Sequence, residues 1–318
     1  DYPSWNNVQF VADSIAWDTD PLYGWCNKNF KKDGSPYNVY SDGLKVFTTI
    51  DSRMQKYAEE AVYQHVARYL QPAFDKENKP KPSSPYSDKL TPQQIRNILN
   101  RSITQSERWR TMKAAGCTPE EIKEAFRKKI EMTVFTYHGD IDTLMSPLDS
   151  IRYYKGFLRS GFMSMDPKTG AVKAYVGGLD YPHFMYDMVS LGRRQVGSTI
   201  KPFLYSLAME NGFTPCDYAP NRQQTYIVAG RPWTPRNVSH ARYGQMVPLK
   251  WGLAQSNNWI SAYLMSKLNP NQFVQILHDF GIHNPDIHPS LSLCLGPCEV
   301  SVSEMVSAYT VFANHGIR

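Results

Sequence analysis

The sequence predicts an α+β protein, in which an antiparallel sheet is flanked by helices and carries a helical subdomain. Two β-rich runs flank the turn-forming stretch DPKTG within residues 161–178, which is the pattern of a hairpin. Several helical patterns follow that hairpin without the strand–helix alternation of α/β folds. The 318 residues, 42% of them hydrophobic, are enough for one large domain or two small ones.

The first ninety residues predict a connector, a strand, a helix and a loop. Residues 1–40 mix Trp, Tyr, Gly and Pro without periodicity, which indicates a packed connector. The alternating run LKVFTTID (44–51) predicts a strand, after which Asp51 caps a helix with apolar residues on one face up to Tyr69. Residues 71–90 are rich in Pro and Lys and predict a mobile loop.

The later helices have start and stop signals. Thr118 is a cap, Pro119 takes the first helical position, and Glu121 completes a capping box. Ser146-Pro147 opens a helix that we expect to end at Gly161. The other predicted helices cover residues 198–211, 248–268, 270–280 and 301–316.

Composition excludes several classes of protein. The net charge of +6 is mild and not gathered into one block, which argues against nucleic-acid binding and permits an anionic surface or substrate. No stretch has the length of a membrane span, there is no signal peptide, and the chain reads as an excised piece. Cys294 and Cys298 either bridge in an oxidising compartment or remain two thiols. The spacing of His278, His283 and His288 predicts solvent-facing side chains, and we expect no metal and no cofactor.

The stretch RRQVGSTIKPFLYSLAMENG (193–212) combines residues suited to acyl transfer. Because Pro202 has no N–H, it belongs in the first turn of a helix, and Ser198 therefore lies at the helix N-terminus. Lys201 is one turn further on and can take the serine proton if burial lowers its pKa. Gly197 lets a substrate backbone come close. The Ser-x-x-Lys pattern alone is more often explained by a serine that caps a helix and a lysine on the helix surface.

A second polar pair interrupts the apolar run LAQSNNWISAYL (253–264). Ser256 and Asn258 are either helix caps or a hydroxyl and an amide directed into a cleft. The same Ser-x-Asn letters in Ser4-Trp5-Asn6 lie in the connector with no helix around them, so we discount them.

Taken together, these stretches resemble the transpeptidase domain of class A penicillin-binding proteins. The resemblance rests on GLKVFTTIDSRMQKYAEEAV, MDPKTGAVKAYVGG, RQVGSTIKPF, AQSNNWIS and EVSVSEMVSAYTVFANHG. Departures are Val196 and Ile200, where the family often has Pro and Phe. The resemblance implies a β-lactamase/transpeptidase-like fold. It also implies a connector over 1–40 that follows a glycosyltransferase domain, and a transpeptidase domain over 41–318 with an insertion-like segment at 71–145.

The family's third motif is a Lys-Thr-Gly strand beside the serine. Lys168-Thr169-Gly170 precedes Ser198 and falls in the hairpin turn, and nothing between Asn258 and Arg318 matches the motif. A sheet of about five strands would then lack its C-terminal strands, so we expect further polypeptide to complete it.

The resemblance implies a D,D-transpeptidase that cross-links peptidoglycan stem peptides ending in D-Ala-D-Ala and is inhibited by β-lactams. Ser198 would be the nucleophile, Lys201 its base, Ser256 the proton relay and Asn258 a holder of substrate and lysine. Trp233 would lie in a loop near the cleft, with plain loop packing as the alternative. The full-length protein would be membrane-anchored on the periplasmic side of the bacterial inner membrane.

Four alternatives share part of this pattern: a β-lactamase, a D,D-carboxypeptidase, a β-lactam-sensing receptor domain and a structural module without catalysis. A β-lactamase needs a deacylating base, and the surroundings of Glu299 and Glu304 do not resemble that family's motif. Stable penicillin labelling favours a transpeptidase or sensor, fast turnover a β-lactamase, and no labelling the structural module.

Overall fold

The computed structural model describes residues 23–78 and 80–317. The chain divides into two compact units, Asp1–Thr49 and Ile50–Arg318. In the first unit, helix α1 (Tyr23–Lys28) is followed by a turn in which Phe30 and Pro36 form an antiparallel bridge. Most of the predicted connector lies in residues 1–22, outside the described residues. The division into a connector and a transpeptidase domain stays a prediction.

The second unit begins with α-helices and one hairpin. These elements are α2 (Ser52–His65), continued by a π-helical turn (Val66–Leu70), α3 (Gln71–Asn78), α4 (Pro92–Gln105), α5 (Glu107–Ala114), α6 (Pro119–Arg127), β1 (Ile130–Val134), β2 (Ile141–Met145) and α7 (Pro147–Lys155). Asp51 caps α2 through the N–H groups of Arg53 and Met54, as predicted. The capping box of Thr118 and Glu121 at α6 is also confirmed.

The predicted hairpin consists of β3 (Phe162–Met165) and β4 (Val172–Val176), which pair antiparallel. Helix α2 packs beside it, and the Gln55 side chain bonds both backbone groups of Tyr175, at 2.7 Å to the N–H and 2.9 Å to the carbonyl. An amide side chain thus satisfies the polar groups that a neighbouring strand would otherwise pair.

The remaining elements surround one core. They are β5 (Arg193–Gln195), a 3₁₀ turn (Gly197–Ile200), α8 (Lys201–Glu210), β6 (Tyr218–Pro220), β7 (Tyr226–Val228), β8 (Arg231–Trp233), β9 (Met246–Pro248), α9 (Leu249–Ala254), α10 (Asn258–Met265), α11 (Pro270–Asp279), a second 3₁₀ turn (Leu291–Leu295), β10 (Glu299–Ser301) and α12 (Val302–Ala313). Strands pair as β5–β10, β6–β9 and β7–β8, all antiparallel. Phe203, Leu204, Ile260, Leu264 and Phe273 are fully buried, so α8, α10 and α11 form the centre of the core. The predicted α+β class is confirmed.

Two predictions for the first ninety residues are wrong. Residues 44–51 form no strand. The Asp51 N–H donates to the Lys173 carbonyl of β4 at 3.0 Å, and the Gln55 side chain bonds the backbone groups of Tyr175 further along β4. Residues 71–78 form α3 instead of a loop, because Pro72 fits a first helical turn and the buried Gln71 amide bonds Gly156 and Leu158.

Two helix boundaries also differ from the prediction. Helix α7 ends at Lys155 with Gly156 as its cap, not at Gly161, because Phe157 packs into an aromatic cluster with Phe135 and Tyr153. The predicted helix over 248–268 is interrupted at residues 255–257.

Candidate active site

The predicted nucleophile lies in a tight turn that leads directly into α8. Ser198 is the second residue of the 3₁₀ turn, and its side chain is exposed. Among the described residues, no hydrogen bond engages its hydroxyl and no backbone carbonyl accepts its N–H. Both groups are therefore available to a ligand at the N-terminal end of a helix.

A loop from the far end of the sequence holds this turn in place. The N–H of Gly197 donates to the Gly296 carbonyl at 3.0 Å, and the N–H of Val196 donates to the Cys298 carbonyl at 3.1 Å. Gly197 has a φ of +54°, which favours glycine. A Cβ on Gly296 would lie 2.2 Å from the Gly197 carbonyl oxygen, so the close approach requires glycine there too. The role of Gly296 was not predicted.

Lys201 is buried although it carries an amine. Its relative exposure is 1%, among the lowest in the described chain, and its Nζ has three hydrogen-bond acceptors. These are the Ser256 carbonyl at 2.6 Å, Ser256 Oγ at 3.1 Å and Asn258 Oδ1 at 2.7 Å. The structure thus brings together three of the predicted residues, and it excludes the snorkelling surface lysine.

The environment of Lys201 shifts its protonation equilibrium toward the neutral amine. Burial lowers its pKa from 10.5 to about 8, and all three acceptors are uncharged. The nearby Cys294 thiol would raise the lysine pKa if it ionised, but burial raises the pKa of Cys294 to about 12. A sizeable minority of Lys201, roughly a tenth, is therefore neutral at pH 7 and able to accept a proton.

The corner between α9 and α10, residues 255–257, positions the three acceptors of Lys201 Nζ. Ser256 has a φ of +48°, in the left-handed region, which turns its carbonyl out of the helical direction. Asn258 donates its Nδ2 to the Arg236 carbonyl at 2.8 Å, and its N–H donates to Asn237 Oδ1 at 2.9 Å. Because Nδ2 is engaged in this way, Oδ1 faces the lysine.

A buried asparagine pair supports the corner. Asn257 caps α10 by accepting from the N–H groups of Trp259 and Ile260, and its Nδ2 donates to Asn221 Oδ1 at 2.9 Å. Asn221 is fully buried and donates to the carbonyls of Ala241 and Arg242. Sequence reasoning missed Asn221, Asn237 and Asn257. Only Asn257 had a local signal, as an N-cap residue at a break in an apolar helical pattern.

The other predicted side chains lie elsewhere. Trp233 ends β8, packs against the main core and has its ring 6.2 Å from that of Tyr226. A contact of Trp233 with substrate therefore stays a prediction. Lys168 and Thr169 lie in the β3–β4 turn, where their N–H groups bond the Asp166 side chain. Glu304 forms a capping box with Ser301 and a two-bond ion pair with Arg193.

The structure also places the cysteines and histidines considered in the sequence. Cys294 and Cys298 are free thiols, which is the second of the two expected states. His283 and His288 are exposed as predicted, but His278 is partly buried because the turn at Gly281 brings the His283 ring within 6.1 Å. In the described ranges, no three His, Cys, Asp or Glu side chains group as metal ligands. None of the helices described is long and apolar enough to span a bilayer.

Comparison with known proteins gives two family matches. The family model "Penicillin binding protein transpeptidase domain" matches residues 160–318, which is half of the chain. The model "Penicillin-binding protein middle domain" matches residues 81–158, which overlap most of the segment 71–145 that the sequence had indicated as insertion-like.

Curated relatives and solved structures agree with these matches. Penicillin-binding protein 1A of Neisseria lactamica is 28% identical over 313 residues, which cover 88% of this chain and 38% of the relative. The Pseudomonas aeruginosa protein of the same name is 31% identical over 162 residues, half of this chain and 20% of the relative. The crystal structure of penicillin-binding protein 1A from Haemophilus influenzae superposes with a TM-score of 0.56 at 20% identity, covering 96% of this chain and 46% of that one, and shows a common fold. By its transpeptidase match, with the Ser198–Lys201 turn inside it, the chain belongs to the penicillin-binding protein transpeptidase family.

Proposed function

We propose that this chain provides the acyl-transfer site of a peptidoglycan D,D-transpeptidase. One observation carries the proposal: a buried lysine of lowered pKa lies one helical turn after an exposed serine whose hydroxyl has no hydrogen-bond partner among the described residues. A serine becomes nucleophilic when a neighbouring group takes its proton. Family membership supplies the substrate class, which is the D-Ala-D-Ala end of a stem peptide.

In the proposed first step, neutral Lys201 accepts the hydroxyl proton of Ser198 as the oxygen attacks the penultimate D-alanine carbonyl. The Ser198 N–H is one donor to the developing oxyanion. The terminal D-alanine leaves as an amine, and Ser256 Oγ, 3.1 Å from Lys201 Nζ, carries a proton from the ammonium to it. An amine of a second stem peptide then attacks the acyl-serine carbonyl, its proton passes through Lys201 to the departing Ser198 oxygen, and the cross-linked peptide is released.

Asn258 holds Lys201 in place in this mechanism. Its Oδ1 accepts from Nζ at 2.7 Å, and its own amide is fixed by Arg236 and Asn237. A β-lactam presents a strained amide in place of the D-Ala-D-Ala bond and leaves Ser198 acylated. The Glu304 carboxylate already accepts hydrogen bonds from Ser301 and Arg193, which disfavours Glu304 as the deacylating base of a β-lactamase.

The lengths of the relatives bear on which further parts the full-length protein has. The chain spans 38% of the length of the Neisseria lactamica relative, so a membrane anchor, a glycosyltransferase domain and a place on the outer side of the bacterial inner membrane are part of the proposal. A division at residues 40 and 41 between connector and transpeptidase domain is likewise proposed.

Penicillin labelling tests the acyl-transfer site. The chain is incubated with fluorescent penicillin, and the labelled residue is mapped by mass spectrometry of peptides. We expect the label on Ser198, none in Ser198→Ala, and undiminished labelling in Ser206→Ala, which removes a hydroxyl from α8, the helix that follows the Ser198 turn. The labelling rate should rise with pH up to about 8, where Lys201 loses its proton. A label on another serine, or persistent labelling of Ser198→Ala, would contradict the proposal.

A further inference from the structure

Four helices of the region matched to the middle domain line an open cavity. Helices α4, α5, α6 and α7 surround a space of about 760 Å³, far along the sequence from the Ser198 turn. Its floor is apolar and consists of Leu99, Ile103, Trp109, Ile122, Phe126 and Leu148. Leu99, Ile122 and Phe126 are buried, so the floor belongs to the packing of the helices. The volume is within the usual range of small-molecule sites.

The rim of this cavity carries positive charge only. Its charged lining residues are Arg96, Lys113, Lys123, Arg127 and Arg152. Arg152 is neutralised by Asp149 at 3.1 Å, and Lys113 lies over the Trp109 ring at 4.7 Å from its centroid. For the other three cations, no salt bridge to a carboxylate is found in the described residues. Arg96 donates to the neutral Gln93 side chain at 2.6 Å, which leaves its charge uncompensated. Like charges held around one opening without acidic partners favour an anion there.

We propose that this cavity binds a single-chain anionic lipid, with the acyl chain on the apolar floor and the anionic head group at the basic rim. The uncharged polar groups of the lining are few: the Asn100 amide, the Cys117 thiol and the Trp109 indole N–H, besides helical backbone. A bound peptide would find little to pair its N–H and C=O groups, and each unpaired group costs free energy on burial. A hydrocarbon chain has no such groups. The site is separate from the proposed acyl-transfer site, and the two proposals stand or fall independently.

Calorimetric titration with ligands of one chain length tests the proposal. Dodecanoate, dodecyl maltoside and dodecyltrimethylammonium are titrated below their micelle concentrations into the chain. We expect one saturable site for dodecanoate and at least about tenfold weaker binding of the neutral and cationic ligands, since the rim contributes through charge. Equal affinity for dodecanoate and dodecyl maltoside would overturn the role of the rim.

Paired charge reversals locate the site. Lys123→Glu with Arg127→Glu reverses two rim charges, whereas Lys128→Glu with Lys129→Glu makes the same change in net charge at adjacent exposed lysines outside the lining. We expect the first pair to weaken dodecanoate binding about tenfold or more and the second pair to change it less than about threefold. Equal weakening by both pairs would overturn the assignment of the anion to this cavity.

A floor variant and a peptide complete the test. Ile103→Trp fills the space, and it should weaken dodecanoate binding while circular dichroism stays that of the unchanged chain. A synthetic amphipathic helix with Leu on one face and Glu on the other is titrated in parallel. Binding of this peptide without binding of dodecanoate would assign the cavity to a protein partner and overturn the lipid proposal, as would no binding of dodecanoate.

Discussion

Replacing Lys201 with methionine should change the free energy of unfolding in a way that depends on pH. Methionine keeps the buried length of the side chain and removes the charge. The pKa of Lys201 is lowered by burial from 10.5 to about 8. Below pH 8 both the folded and the unfolded chain hold the proton, and the folded chain bears the cost of a buried ammonium. Between pH 8 and 10.5 the unfolded chain holds more protons than the folded one, so the stability of the wild type rises with pH.

The size of the effect follows from these two values. One pKa unit corresponds to about 1.4 kcal/mol, and the whole shift therefore to about 3 kcal/mol. The quantity of interest is the free energy of unfolding of the wild type minus that of Lys201→Met. This difference should be about 1.4 kcal/mol larger at pH 9 than at pH 7, and about 2.5 kcal/mol larger at pH 10 than at pH 7. Other titrating groups are common to both proteins and cancel in the difference. The lost hydrogen bonds to Ser256 and Asn258 shift the difference by a constant and do not change its slope.

Urea unfolding of both proteins at pH 7, 8, 9 and 10 measures the difference. Lys250→Met, which removes an exposed lysine of α9, serves as the control and should show no such trend. Acylation by penicillin should fall by about 10²–10⁴-fold in Lys201→Met at every pH. A flat difference for Lys201→Met would mean that the amine titrates as an exposed lysine does, and a difference of opposite slope would mean that the site stabilises the ammonium. Either result would refute the reasoning for Lys201 as base.

Three further substitutions test parts of the site. Asn258→Ala should slow acylation about 10-fold to 10³-fold while leaving the thermal midpoint within a few degrees, and a rate close to that of the unchanged chain would refute its positioning role. Gly296→Ala forces a Cβ to within 2.2 Å of the Gly197 carbonyl oxygen. We therefore expect the free energy of unfolding in urea to fall by about 2 kcal/mol or more and acylation to be slower. An unchanged unfolding free energy and an unchanged acylation rate would show that the turn adapts. Glu304→Gln weakens the ion pair with Arg193 and should lower the free energy of unfolding in urea by about 1 kcal/mol without affecting the labelling rate. A large loss of labelling would instead indicate that Glu304 takes part in the chemistry.

The local features of this site could be predicted from sequence because each depends on neighbours in the chain. Ser198 and Lys201 share one turn, Asp51 and Thr118 cap helices that start beside them, and the DPKTG turn joins adjacent strands. Such signals are complete within a few residues, so no knowledge of tertiary contacts is needed.

The features that were missed depend on contacts between distant residues. Gly296 is about a hundred positions from Gly197 and shows no motif, yet its missing side chain permits their approach. The pattern at 44–51 has the composition of a strand, but composition does not decide pairing: at Tyr175 of β4 the Gln55 side chain bonds the backbone groups. Propensity alone cannot show which competitor occupies a sheet edge.

The interruption between α9 and α10 connects local structure to chemistry. In an unbroken helix the Ser256 carbonyl would accept from the N–H of Ile260, four residues on, and it would be unavailable to other donors. Here Ser256 adopts a left-handed φ of +48°, and Asn257 Oδ1 accepts from the Ile260 N–H at 3.1 Å instead. The released carbonyl accepts from Lys201 Nζ at 2.6 Å, while the hydroxyl of the same residue lies at 3.1 Å. A backbone conformation that costs about 1 kcal/mol or more thus provides two of the three acceptors of the buried amine, and the Asn257 cap is the reason that the helix can begin again directly after it.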